Sequence, residues 1–138
     1  MTLGLSTTIR NNRLQTIVDA FDAGTGSGKI LLYTAGSGRP ATGAAITDQV
    51  LLGTITLSDP CGTVTDGVLT FAAFTEDSLA DATGDIAFAR GVDSDGNFVL
   101  DMGCGVSGSG QELIFNTLSV QAGGVIQILS GSLTEGNA

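Results

Sequence analysis

The segment AGTGSGKI, residues 23–30, is the part of the sequence that comes nearest to a chemical site. A phosphate-binding P-loop reads glycine, four residues of any kind, glycine, lysine, and then serine or threonine. Gly28 and Lys29 fit, but Ala23 stands at the first glycine and Ile30 replaces the magnesium-binding hydroxyl. A P-loop also opens a helix, whereas here a helical pattern comes before the segment and would turn its negative dipole end toward the anion. We therefore predict a helix end and a turn, with no nucleotide bound.

The composition offers little for other catalytic mechanisms. The chain has no histidine, which excludes Ser-His-Asp and Cys-His nucleophile arrangements. Fourteen acidic residues leave a paired-carboxylate glycosidase arithmetically possible, but such sites usually have aromatic platforms, and the chain has no tryptophan and a single tyrosine, Tyr33. The sequence therefore predicts a protein that is not an enzyme, with no catalytic residues and no cofactor.

The segment DSDGN, residues 93–97, resembles the start of a calcium-binding loop. Such a loop requires glycine at its sixth position and glutamate at its twelfth. Counting from Asp93, Gly96 is fourth and Cys104 is twelfth, so the spacing fails. The Asp-Gly pair is instead typical of a tight hairpin turn, and we expect one here.

Two other sets of side chains could form a chemical site, but a structural interpretation is favoured for both. Asp77, Asp81 and Asp85 could gather round a weakly held cation, but solvated loop carboxylates are far more common, so we expect no metal site. A disulfide between Cys61 and Cys104 would close a loop of about 44 residues. We expect two free thiols, because alternation turns Cys104 inward and synthesis in the cytoplasm favours reduced cysteines.

One helix must lie before the near-P-loop. Apolar residues recur there at the spacing of a single helical face: Leu14, Ile17, Val18 and Phe21. Ser6 or a following threonine can cap the start, and Gly24 suits the left-handed position after the end. The pattern predicts a helix at about residues 7–22 that packs one apolar face on a sheet.

The rest of the chain alternates with the period of β-strands. Seven segments show this pattern: KILLYT, VLLGTITLSD, GVLTFAAF, GDIAFARGV, NFVLDMGCG, ELIFNTLSV and VIQILSGSL. Strict alternation places Leu51 with Ile55 on one face of the second segment, and Phe98, Leu100, Met102 and Cys104 on one face of the fifth. SDPCGTVTDG is interpreted as a longer connection. We predict a mainly-β fold: one domain over residues 1–138, an antiparallel β-sandwich of about seven strands with one N-terminal helix.

Charge is sparse and unevenly distributed along the chain. The net charge is −9, yet the first 39 residues hold four cations and two acids. An acidic protein with five basic residues cannot build a groove for nucleic acid, so we expect no nucleic-acid partner. The four early cations are candidate docking residues for an acidic partner, although ordinary solvated charges remain the alternative: Arg10, Arg13, Lys29 and Arg39.

The start of the chain, MTLGLSTTIRNN, does not combine a charged beginning with an apolar run. No apolar stretch approaches the roughly 20 residues that span a bilayer. We therefore expect neither a secretory leader nor a membrane partner, and a setting in the cytoplasm of the producing cell or in a particle assembled there.

Four segments together resemble a small protein family common among the structural genes of tailed phages and prophages: RNNRLQTIVDAFDAGTGSGKILLYTAGSGRPATG, LLGTITLSDPCGTVTDGVLTF, ADATGDIAFARGVDSDGNFVLDMGCG and GGVIQILSGSLTEGNA. The resemblance covers nearly the full length. It implies a virion protein, made and assembled in the host cytoplasm, that is most similar in size and composition to capsid decoration (cement) proteins.

The implied partners are the major capsid protein or other virion proteins, together with further copies of the chain in a homo-oligomer. Two alternatives remain open at this point. One is a component of the tail or of the head–tail connector, and the other is a carbohydrate-binding module.

Overall fold

A computed structural model describes residues 4–134. Helix α1 spans Thr7–Phe21, and ten strands follow it: β1 Lys29–Tyr33, β2 Leu51–Thr56, β3 Gly62–Thr65, β4 Val68–Phe71, β5 Gly84–Asp85, β6 Phe88–Val92, β7 Phe98–Val106, β8 Leu113–Phe115, β9 Ser119–Val120 and β10 Ile128–Thr134. Of the described residues, 38% are in strands and 11% in the helix, so the predicted mainly-β fold with one N-terminal helix is confirmed.

Eight of the strands form one large curled sheet, in the order β2-β1-β6-β7-β8-β10-β4-β3. Strands β5 and β9 pair separately. Because β7 and β8 run parallel, the sheet is mixed, and the predicted antiparallel sandwich is only an approximate description. The predicted number of strands is too low, since β3 was not predicted and two predicted segments each divide into two strands.

The parallel pair β7–β8 depends on glycines in β7. Only residues 107–112 connect the two strands, whereas a parallel pair usually needs a dozen or more. The connection folds back across the face of β7, where Gln111 and Ser109 occupy the space that side chains at Gly103 and Gly105 would need. The absence of side chains at Gly103 and Gly105 therefore leaves room for the short connection between β7 and β8.

Helix α1 begins as the sequence predicts. The hydroxyl of Ser6 accepts a hydrogen bond from the Ile9 backbone N–H at 3.2 Å. The predicted face is buried at Leu14, Val18 and Phe21, and the helix contacts β3, β4 and β7. The helix ends at Phe21, one residue before the predicted end.

Phe21 contacts strands from both halves of the sheet. Its ring meets Phe71 in β4 edge-on, with centroids 6.0 Å apart. On the other side it lies under Gly91 in β6, where an added Cβ would come within 2.5 Å of the Phe21 Cζ. The sheet therefore curls around this ring, which is fully buried.

Two register shifts overturn part of the predicted alternation. In the β1–β2 pair, the shift makes Leu51 the partner of Tyr33, so Leu52 and not Leu51 enters the core. In the β6–β7 pair, the shift makes Phe98 the partner of Val92, which carries the ring away from Leu100 and Met102. Each irregularity adds one residue to one strand and thereby reverses the face of the residues beyond it.

Two Asp-Gly pairs turn hairpins. The predicted turn at residues 93–97 is confirmed, because the Asp93 N–H donates to the Asn97 carbonyl and the Asp93 carboxylate accepts the Asn97 N–H. The second pair, Asp66–Gly67, lies in the segment predicted to be a connection. Both of its residues have positive φ, 52° and 77°, as a tight β3–β4 turn requires.

The segment after α1 is held by close packing. Gly24 does not have the predicted left-handed backbone. Instead, the Ser94 hydroxyl of the β6–β7 hairpin occupies the place of a Gly24 side chain and accepts a hydrogen bond from Gly26 N–H at 3.2 Å. The same crowding applies at Gly28, where an added Cβ would lie 2.9 Å from the Phe21 ring.

Gly24→Ala should therefore lower the free energy of unfolding by about 1–3 kcal/mol, because the new methyl group overlaps Ser94. Gly26→Ala is the matched control, since the nearest atom to its Cβ would be 3.7 Å away. Urea unfolding measures both. Equal effects of the two substitutions would contradict the packing role, and Ser94→Gly should partly rescue Gly24→Ala.

Asp22 ends α1 in an unfavourable electrostatic position. Its carboxylate lies at the negative end of the helix and accepts the Cys61 backbone N–H at 3.2 Å. Burial raises the pKa of Asp22, and repulsion from Asp59 and Asp19 adds to this, while the bond from Cys61 opposes it. Because the folded state then holds the proton more tightly than the unfolded chain, the ionised carboxylate weakens the fold above the raised pKa, and this effect disappears as the pH falls through it.

Asp22→Asn keeps an oxygen acceptor for Cys61 and removes the charge. We expect a higher Tm than the wild type at pH 7 and no gain near pH 3, where Asp22 is already neutral. Asp81→Asn, at an exposed acid, is the control for the change in net charge. A gain of the same size at both pH values would exclude the electrostatic explanation.

Candidate docking surface

Strands β1 and β6 separate a core face from an outer face. Ile30 and Leu32 point into the core and are fully buried. The alternate residues, with their register partners in β6, point the other way, and we call this side the outer face: Lys29, Leu31 and Tyr33 of β1, and Phe88, Arg90 and Val92 of β6.

The long β1–β2 loop, residues 34–50, lies over part of the outer face. Residues 35–39 and 41–45 are exposed. The loop is nevertheless closed at its base, because the Thr34 N–H donates to the Val50 carbonyl at 3.0 Å and the Val50 N–H to the Thr34 hydroxyl at 2.9 Å. Inside the loop, the buried Gln49 amide donates to the Gly38 carbonyl at 2.6 Å. The loop is thus exposed and also internally bonded.

A buried ion pair fixes the middle of the loop to the sheet. Arg90 is 8% exposed, and it donates to Asp101 of β7 through Nε at 2.8 Å and Nη2 at 3.1 Å. Its Nη1 donates to the Ala44 carbonyl at 2.7 Å, and the Gly43 N–H donates to Asp101 Oδ2 at 3.2 Å. The hydrogen bonds to Asp101 raise the pKa of Arg90 further above its usual value. Both charged partners therefore bind the loop backbone directly.

Aromatic rings flank this ion pair. The Arg90 guanidinium lies over the Phe98 ring at 5.2 Å, and Phe98 is 41% exposed. Beside it, Phe88 stacks on Tyr33 with centroids 5.4 Å apart and an interplanar angle of 17°. The guanidinium of Arg39, from the loop, lies 5.8 Å above the Phe88 ring. Two arginine–aromatic contacts therefore stand side by side on the outer face.

The four predicted docking cations do not form one cluster. Arg10 and Arg13 lie on α1, and the half-buried Arg10 donates to Thr7 at 3.2 Å and rests against the β3–β4 turn. Lys29 and Arg39 are exposed and belong to the outer face. The structure thus divides the set into a helix pair and an outer-face pair, and a docking role for any of the four stays a prediction.

The other candidate residues have structural surroundings. The Asp77 carboxylate accepts the backbone N–H groups of Thr54 at 2.9 Å and Leu79 at 3.0 Å. Within residues 4–134, no three histidine, cysteine, aspartate or glutamate side chains are placed to hold a metal. Cys61 and Cys104 are free, as predicted, and burial raises the pKa of each thiol to about 12.

Arg90 and Asp101 were not among the predicted site residues. A usable signal existed, since each is a lone charged residue inside an apolar strand segment, and a tight hairpin joins the two strands. A lone charge in such a place needs a partner, because an unpaired buried charge is costly.

No family model matches the chain, and searches of the curated proteins and of the solved structures found no match. The resemblance to phage structural proteins therefore stays a prediction. In the described residues, no helix has the length and apolar character needed to cross a membrane.

Asp101→Ala should lower the free energy of unfolding by about 3–5 kcal/mol, because Arg90 then stays buried without its counter-charge. The double variant Arg90→Leu/Asp101→Leu should lose less than Asp101→Ala, and amide exchange at Gly43 should rise in both. Glu76→Gln, at an exposed acid, serves as the control. A loss below about 1 kcal/mol in Asp101→Ala would show that the pair does not hold the loop.

Proposed function

We propose that this chain is a non-enzymatic virion structural protein that binds the outside of a phage capsid and stabilises it, acting as a homo-oligomer. The resemblance of the sequence suggests this role. The structural observation that carries the proposal is the β1–β2 loop, which is exposed along most of its length and yet bonded to the sheet by Arg90 and Asp101.

A decoration protein must hold neighbouring shell subunits at fixed positions. A loop that is ordered before binding loses little conformational entropy on docking, so less of the favourable contact energy is offset and the complex is tighter. The sheet beneath the loop supplies the rigid support, since β6 is buried along its whole length. A fixed loop on a rigid sheet therefore suits a cementing role.

The charge of the chain supports the same role. Particles that carry many copies with a net charge of −9 repel one another in solution and so stay apart. Stable association needs roughly 1,200–2,000 Å² per contact, and repeated weaker contacts on a symmetric lattice gain further strength through avidity.

Cryo-electron microscopy of particles that carry the gene tests the proposal directly. We expect the chain on the outer surface of the capsid, with a copy number set by the shell lattice, and shells stripped of it should disrupt at a lower temperature. A ring of about six or twelve copies at one vertex would indicate a connector component instead. Absence from purified virions would refute the proposal.

A further inference from the structure

We infer that the exposed side of the outer face, formed by Lys29, Phe98 and Arg39 of the covering loop, is the surface that docks on the shell, and that its partner is an acidic protein surface presenting carboxylates to Arg39 and Lys29. This inference rests on the proposed function, and it adds the face and the chemistry of the partner.

The first argument concerns which basic side chains already have a partner within the protein. All five Lys and Arg side chains lie within the described residues. Arg90 is paired with Asp101, and Arg10 and Arg13 interact within the protein. Across residues 4–134, Lys29 and Arg39 have no hydrogen bond or ion pair, so their charge is available to a partner.

The second argument is that Arg39 is held in position before binding. Its guanidinium lies over Phe88, a fully buried ring that Tyr33 supports by stacking. Across residues 4–134 the Arg39 guanidinium makes no hydrogen bond, so its N–H groups are available to a ligand. Such a planar fork suits bidentate binding of a carboxylate.

The third argument is the composition of the surroundings. Phe98 is exposed on the same side of the sheet, and Leu31 and Leu51 are half-buried there. Asp101, an acid of this side, is paired with Arg90 and its side chain is fully buried. Arginine and aromatic residues are enriched at protein interfaces and supply much of their binding energy.

The extent of the face also fits a protein partner. Lys29 and Tyr33 stand at opposite ends of β1, about 13 Å apart at the usual rise of a strand, and Arg39 contacts the Tyr33 end. A nucleic acid is disfavoured because its phosphates need a row of cations along a groove, whereas only Lys29 and Arg39 are without a hydrogen bond or ion pair across residues 4–134. The carboxylates of a protein surface are therefore the expected ligands.

The test uses full-length protein and shells from particles in which the gene has been deleted. Arg39→Glu and Lys29→Glu should each weaken binding to these shells at least tenfold and reduce its salt dependence. Arg13→Glu makes the same change in charge on α1 and should bind within about twofold of the wild type. Phe98→Ala should weaken binding without changing its salt dependence. Thermal melts of each variant establish that it is folded.

The outcomes separate the two proposals. If the wild type binds and Arg39→Glu binds equally well, the docking face is wrong and the decoration role stands. If the wild type does not bind any shell, the proposed function fails, and the acidic shell partner fails with it. A change of oligomeric state in Arg39→Glu without shells would show that the face joins copies of the chain, which also overturns the inference.

Discussion

The buried contact between Arg90 and Asp101 is the constraint on which the outer face depends. Removing two charges from water is costly, and their attraction offsets that cost only when the geometry is good and the remaining donors and acceptors are satisfied. Here two parallel hydrogen bonds join the pair, and the remaining groups bind the backbone at Ala44 and Gly43. The loop is thus part of what makes the burial tolerable, and the pair is what gives the loop one position.

This mutual dependence explains why β6 is buried along its whole length although it carries a charge at its centre. On the core side, Gly91 leaves room for Phe21, which brings the helix against the sheet. On the outer side, the loop covers Arg90 and Phe88. One strand therefore contacts both the helix, through Gly91, and the exposed loop, through Arg90.

The sequence predicts local features well and the ion pair poorly, for a reason that can be stated in residues. The helix face and the hairpin at residues 93–97 depend on nearby residues and are confirmed. Counting outward from that hairpin pairs Arg90 with Leu100, and places Asp101 opposite Ala89. The register shift beyond Val92 moves the pairing by one residue and brings Asp101 opposite Arg90. A bulge leaves no strong signal in a single sequence, so counting from the hairpin misses the Arg90–Asp101 pair by one residue.

The same limit applies to charge. The first 39 residues carry a net positive charge, but residues that are close in the sequence need not lie on one surface. Folding sends Arg10 and Arg13 to α1, pairs Arg90 with Asp101, and leaves Lys29 and Arg39 on the outer face. The electrostatics available to a partner thus depend on which cations are already engaged, which only the tertiary contacts decide. In the near-P-loop, likewise, Gly24 and Gly28 pack against Ser94 and Phe21, and Lys29 lies on the outer face of the sheet.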